Sequence, residues 1–249
     1  MVDSRFSWGV TRVTPRLFEK QIQLLRAAGT EFFTVSEYLQ LDQSASKKAI
    51  AITYDDGYES IFKNAFPILE MHNIKATVFV NPNYVGNYNT WDANFGKRIK
   101  HMDWHQIRQL KEAGWEVGSH GLMHQDLTKL PALRVEREFV QSRRRIHDYI
   151  GSCSNIFSFP FGNINGKVWQ QCLKAGYTHA LAMGSHSLAK KNEQIAVRTG
   201  IYLFDIRPLF LYKVFAKDRF FINLIEKFFD ACSNLTVLTQ SKKWNVDKN

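Results

Sequence analysis

The sequence predicts an α/β fold, with parallel strands inside and helices outside, built as one domain of 249 residues. Three observations predict it. Apolar runs of strand length alternate with stretches of helical periodicity, the pattern of successive βαβ units. Residues 49–54 are almost continuously apolar, as in a strand buried on both faces. The residues able to do chemistry recur just past predicted strand ends, where α/β barrels assemble their sites.

The first element is a helix from residue 15. Thr14 can cap it, Pro15 suits its first position and Gly29 can end it, while Leu17, Phe18, Ile22 and Leu25 share one face. A short strand at 32–35 and a brief helix from Ser36 follow. After the strand at 49–54 come Asp55-Asp56-Gly57 and a helix to about Met71, bent before Pro67, which lacks the N–H an interior position needs. Residues 76–80 form the next strand, and 81–101 a loop rich in Asn, Gly and aromatics. A helix at 104–113 ends at Gly114, and a strand at 115–118 delivers Ser119-His120. Pro131 opens a charged helix to about Ile150; a strand at 156–159 is turned by Pro160-Phe161-Gly162; a helix at 167–175 leads to a strand at 177–181. Residues 235–238 suit a closing strand.

Residues 1–205 are thus read as the barrel, and 206–249 as a basic, aromatic helical segment carrying Lys213, Lys217, Arg219 and Lys227. Packing on the barrel is its expected role, because packing supplies most helix stability; peripheral contact with a membrane surface is the alternative.

The net charge of +10 favours anionic surroundings. Apart from Arg143-Arg144-Arg145 and Lys242-Lys243 the basic residues are dispersed, and no nucleic-acid-binding signature accompanies them, so specific nucleic-acid recognition is not expected. Cys153, Cys172 and Cys232 are odd in number and far apart, which argues against a disulfide framework and fits a reducing compartment. The first residues carry no secretory signal, and no apolar run reaches membrane-spanning length. The expected location is the cytoplasm or the cytoplasmic face of a membrane.

His120 and His124 stand four apart, which on a helical turn places both imidazoles on one side, an arrangement suited to a divalent transition metal. Asp55 and Asp56 follow a strand, and the turn allowed by Gly57 can swing both carboxylates into one pocket. One carboxylate can complete a His-His-Asp metal set while the other stays free as a general base. Such an ion lowers the pKa of water toward about 7 and polarises a carbonyl. The oxyanion that forms needs a further donor, and the Phe161 amide, on another strand-end turn, is the candidate.

These segments resemble the polysaccharide deacetylase family, the family-4 carbohydrate esterases that share a homology domain with nodulation-type chitooligosaccharide deacetylases. Thr53-Tyr54-Asp55-Asp56-Gly57 is similar to the family's first motif, His120 to His124 to its second, and Phe157-Ser158-Phe159-Pro160-Phe161-Gly162 to its third, in the family's order. The resemblance spans about residues 10–200 and is nearest the poly-N-acetylglucosamine deacetylase-like branch. It implies a distorted (β/α)7-type barrel, Asp55 as base, Asp56, His120 and His124 as metal ligands, and the Phe161 amide as oxyanion donor. Zinc is the implied ion, with nickel or cobalt able to occupy a similar site. Tyr54, Pro160 and Leu181 are the expected substrate contacts, with Met183 beside Leu181 in the acetyl pocket.

The sequence departs from the family at four points. Gly121 stands where the second motif has Ser or Thr, and Ser158 where the third has the arginine that orients the base. Arg198 can supply that charge; the alternative is an ordinary surface arginine. The aspartate–tryptophan pair of the fourth motif is not evident. The histidine that protonates the leaving amine is absent near 235–240; in the similar branch it lies in a Tyr-His pair before the first helix, where the given N-terminus is expected to be either too short or diverged, and His179 or His186 are substitutes. The expected activity is hydrolysis of N-acetyl groups on a hexosamine-containing glycan or its lipid-linked precursor. An amidase for small cyclic amides and a metal-binding glycan-recognition module without turnover are the alternatives.

Overall fold

The computed structural model describes residues 1–3, 13–42, 48–90, 98–183, 188–203 and 205–215. Helix α1, Pro15–Ala27, begins at Thr14, whose hydroxyl accepts the Leu17 N–H and so satisfies one of the first turn's orphan donors. Strand β1, Glu31–Phe33, and helix α2, Val35–Gln40, follow. The apolar run expected to be one strand is two: β2, Ala49–Ala51, pairs with β1, and β3, Thr53–Tyr54, pairs with β4, Thr77–Val80. The chain changes partners at Ile52, whose carbonyl accepts the Thr77 N–H.

Between β3 and β4 lies the helix that was expected to bend before Pro67. One π-helical turn, Ile61–Ala65, leads into α3, Phe66–Met71, where the proline sits in the first turn and its missing N–H costs nothing. Helix α4, Trp104–Glu112, starts with a capping box between Asp103 and Gln106 and precedes β5, Glu116–Ser119. Helix α5, Ala132–Ile150, opens after Pro131 and ends at Gly151, whose φ of 76° is the left-handed cap glycine adopts without strain. Strand β6, Ile156–Ser158, helix α6, Gly166–Lys174, strand β7, His179–Met183, and strand β8, Ile195–Arg198, complete the alternation, and α7, Arg207–Phe215, follows.

Strands β3 to β8 form one parallel sheet in sequence order, beside the β1–β2 pair. β3 and β8 are its opposite edges, yet the Arg198 guanidinium on β8 donates to the Thr53 hydroxyl on β3 over 3.1 Å. The sheet therefore curls until its edges come within a side chain's reach, the distorted α/β barrel that was expected.

Alternation along the strands sorts the side chains. Phe79, Ile156 and Leu181 are buried together inside the curl, with Ala51 and Ala196 packed against them. Gly118 leaves room for this layer, since a Cβ there would fall 2.6 Å from the Phe79 ring. On the outer face Tyr54, Val78, Val80 and Val117 pack with Ile107, Leu110 and Ile146 of the helices. Phe139 of α5 meets Phe157 edge to face at 4.7 Å, and Phe159 and Tyr177 extend that cluster. Each such buried side chain contributes about 1.5–3 kcal/mol to holding the helices on the sheet.

Of the segment 206–249, residues 216–249 lie outside the described residues, as does the closing strand expected at 235–238. In α7, Phe210 and Lys213 are buried, and Lys213 pairs with Asp205 at 2.8 Å and donates to the Gly200 carbonyl. Among the described residues no helix is long and apolar enough to cross a membrane.

Candidate active site

Residues that are strained or buried polar gather at the C-terminal ends of the strands. Among the described residues four non-glycine residues have positive φ, and three of them are Asp56 at 68°, His124 at 50° and Phe161 at 59°. Such conformations cost about 1–3 kcal/mol each and persist only where surroundings enforce them.

After β3, Asp55 continues the inward face of Thr53, while Asp56 and Gly57 turn the chain through two successive left-handed residues. Gly57 is required twice over, by its φ of 66° and because a Cβ would fall 2.9 Å from the Val80 side chain. The turn aims the Asp56 carboxylate at two imidazoles, with Oδ1 3.2 Å from His124 Nε2 and 3.6 Å from His120 Nε2. Burial alone would raise the Asp56 carboxyl's pKa; His124, then its hydrogen bond and His120, outweigh it and hold the carboxyl well below the usual carboxylate range.

His120 follows β5, and its Nδ1–H donates to the Ser158 carbonyl at 2.7 Å. A carbonyl can only accept, so this bond fixes the tautomer and leaves the Nε2 lone pair facing Asp56. Burial lowers the His120 pKa, which also favours the neutral ligand form. The two histidines do not share a helical turn as the spacing suggested. Gly121 has a φ of 81° and His124 one of 50°, so a non-helical loop brings the rings to 5.1 Å.

Glu138 of α5 holds that loop by accepting the Leu122 and Met123 N–H groups at 2.6 and 3.0 Å. From β4's end, the Asn81 amide donates to the His120 and Gly121 carbonyls. A Cβ at Gly121 would approach Glu138 Oε2 to 3.1 Å, so the carboxylate borders the place that the resemblance gives to Ser or Thr.

One nitrogen from each of His120 and His124 and one Asp56 oxygen lie within 4.8 Å of one another. Asp56 Oδ1 is buried and faces the Nε2 atoms of both imidazoles. A buried carboxylate oxygen facing two imidazole nitrogens is a donor set that fits a divalent cation.

Beside it, Arg198 is not a surface residue, with a side chain 12% exposed. Its two terminal nitrogens grip the two Asp55 oxygens at 2.9 and 2.7 Å. Ser158 Oγ donates to Asp55 Oδ1 at 2.9 Å and accepts from Arg198 at 2.8 Å. Burial alone would raise the Asp55 carboxyl's pKa, but Arg198 and His120 bring it below its ordinary value and keep it ionised.

Phe161 stands in the turn Pro160–Gly162, whose own bonds come from the Gly162 and Asn163 amides. Its ring meets that of His124 edge-on at 4.8 Å. Pro160 is buried in the same turn, beside Gly121.

Two of the expected substrate contacts, Tyr54 and Leu181, line the same cavity as Asp55 and Asp56 and are at the same time held in apolar layers. Tyr54 points to the sheet's outer face, one residue out of step with Thr53 and Asp55, and stacks on Trp115 at 5.8 Å. Leu181 lies in the inner apolar layer below the site, whereas Met183, two residues nearer the strand end, meets the Gly162 and Gly200 turns. His179 opens β7 and so lies at the opposite end of the barrel; His186 lies outside the described residues. Asp55, Asp56, His124, Met183 and Arg198 border a cavity of about 680 Å³, of ordinary size for a small-molecule site.

Sequence reasoning missed Glu138, Asn81 and His101, whose ring donates to the Asp56 carbonyl. Asn81 carried a signal, being the first residue past a strand; Glu138 lay unmarked in a charged helix, and His101 in a loop.

Comparison with known proteins finds relatives in both sequence and fold. A poly-beta-1,6-N-acetyl-D-glucosamine N-deacetylase of Staphylococcus epidermidis is 32% identical over 111 residues, 43% of this chain and 36% of that protein. One from Staphylococcus aureus is 26% identical over 183 residues, 69% of this chain and 61% of its own length. The chain therefore spans less than two thirds of either curated relative. The Streptococcus pyogenes deacetylase PplD, solved with acetate, shares the fold with a TM-score of 0.71 and 21% identity, covering 83% of this chain and 89% of that one. The family model for polysaccharide deacetylase matches residues 42–180, which hold Asp55, Asp56, both histidines and the Phe161 turn. With that match over more than half its length, the chain belongs to the polysaccharide deacetylase family.

Proposed function

We propose that this chain hydrolyses the acetamido groups of an N-acetylglucosamine-containing polymer, releasing acetate and leaving a free amine on the sugar. The observation that carries the reading is the pairing of two neighbouring carboxylates with different partners. Asp56 faces two imidazoles and Asp55 faces Arg198 and Ser158. One carboxylate is placed to ligate and the other to move a proton.

Asp56, His120 and His124 would hold a divalent transition metal such as zinc, nickel or cobalt. When bound there, the ion supplies positive charge that polarises the amide carbonyl and acidifies water. Asp55, ionised and fixed by the Arg198 fork, takes the proton from the attacking water. Arg198 positions that base and does the work of the family's absent arginine. The Phe161 amide, turned out by its left-handed backbone, donates to the oxygen that gains charge. Pro160 and Met183 flank the acetyl group. The similar staphylococcal proteins act, by name, on poly-beta-1,6-N-acetyl-D-glucosamine, and that polymer is the proposed substrate class.

The experiment compares acetate release from N-acetylglucosamine oligomers by the zinc-loaded parent and by Asp55→Asn. The expected result is release by the parent, a loss of about 10²–10⁴-fold in the variant, and unchanged metal content in both. A parent that binds zinc and the oligomer without releasing acetate would favour a recognition module instead.

A further inference from the structure

We propose that His101 is a positioning residue for the metal centre, its imidazole holding the Asp56 turn in the conformation that presents the carboxylate to His120 and His124. The inference rests on reading Asp56 as a metal ligand.

His101 is 1% exposed and sits at the far end of the 81–101 loop. Backbone pairing registers this segment on the turn. The Glu59 N–H donates to the Lys100 carbonyl and the Met102 N–H to the Gly57 carbonyl, each at 2.8 Å, with Tyr58 and His101 paired antiparallel between them. That register places the imidazole over the Asp56–Gly57 peptide, where Nδ1 lies 2.7 Å from the Asp56 carbonyl oxygen. The acceptor is a carbonyl, so Nδ1 carries the proton. The ring is gripped by Tyr58 at 4.8 Å and Tyr84 at 5.7 Å, so it cannot swing aside without breaking both contacts.

The strain of the turn explains why such a clamp is needed. Asp56 is a non-glycine residue at a φ of 68°, next to Gly57 at 66°. Left to itself an aspartate leaves that region, and a rotation of its peptide redirects the carboxylate. A carbonyl tied to a rigid, buried donor resists that rotation, because turning it breaks the bond of an N–H that sits away from water. Like the Ser158 carbonyl at His120, His101 acts on a ligand residue through a hydrogen bond without itself facing the place of the ion. Partners of this kind typically tune metal affinity by about 10–100-fold.

The test uses His101→Asn and His101→Leu. The Asn amide nitrogen can take the place of Nδ1, while Leu has the same shape and no donor; both lose the aromatic packing alike. Metal-free parent and variants are titrated with Co²⁺, followed by its d–d absorption, with circular dichroism as the check on folding. Affinity is expected to fall about 10–100-fold in His101→Leu and to stay within a few-fold of the parent in His101→Asn, with the Co²⁺ spectrum altered only in the leucine variant. Equal affinities in the two variants overturn the proposal. If His101→Leu does not fold, His101→Asn decides alone, since a tenfold loss there overturns it. Failure of the parent itself to bind Co²⁺ would instead overturn the metal reading on which the proposal rests.

Discussion

The two edges of the curled sheet contribute to the same site in different ways. Strand β3 ends in a compact motif, so Asp55 and Asp56 arrive with their turn encoded beside them, down to the glycine that tolerates it. Strand β8 ends in Arg198, a single residue with no motif around it, which reaches Asp55 only because the sheet closes. One edge brings chemistry through local sequence and the other through topology. The difference teaches that a role can leave its customary strand. Ser158 occupies the place of the family's arginine on β6, and its hydroxyl bonds both Asp55 and the arginine that comes from β8 instead.

The comparison is broken most strongly by removing the arginine. Arg198→Ala is expected to lower kcat/KM by about 10–100-fold, since it takes away a charge-assisted, two-point grip on Asp55, the proposed base. Arg198 lowers the Asp55 pKa, so its loss raises the pH at which the carboxylate takes up a proton. The acid limb of the pH–rate profile should therefore move to higher pH, and activity should disappear earlier on acidification. Arg198→Lys should not restore the parent profile, because a point charge cannot reproduce the planar fork. A profile unchanged in Arg198→Ala would mean that the β8 edge plays no part in the chemistry.

The smallest effect sharpens the β3 edge. Tyr54 is adjacent to the base in sequence but on the other face of the sheet, and its buried hydroxyl has no hydrogen-bond partner. Tyr54→Phe is expected to leave acetate release unchanged and to alter stability by no more than about 1 kcal/mol, with gain as the expected sign, since it removes an unsatisfied polar group. Denaturant unfolding alongside the acetate assay checks both. A large loss of activity would mark Tyr54 as a substrate contact.

These cases show what the sequence made legible. The alternating strands and helices, the cap at Thr14 and the helix-ending glycines Gly29 and Gly114 follow from local chemistry, and local chemistry is written in neighbouring residues. Asp55, Asp56 and Phe161 could be picked out because they follow strands, and His120 and His124 because of their spacing. The change of partners at Ile52 was not legible, because an apolar run says that a segment is buried and not which strand it pairs with. The histidine loop was misread because i, i+4 spacing is also met by a chain that turns through Gly121. The packing of Tyr54 and Leu181 in apolar layers was not legible for want of the inward and outward parity that strand register supplies. Glu138 and His101 act on backbone groups rather than on the ligands themselves, and such contacts leave no trace in spacing.

The central claim is that Asp56, His120 and His124 surround one cation. Anomalous diffraction at the zinc edge, from crystals of the zinc-loaded protein, tests it most directly. The account predicts a single strong peak about 2.0–2.2 Å from both Nε2 atoms and from an Asp56 oxygen. A peak bound elsewhere, or none in this pocket, would contradict it.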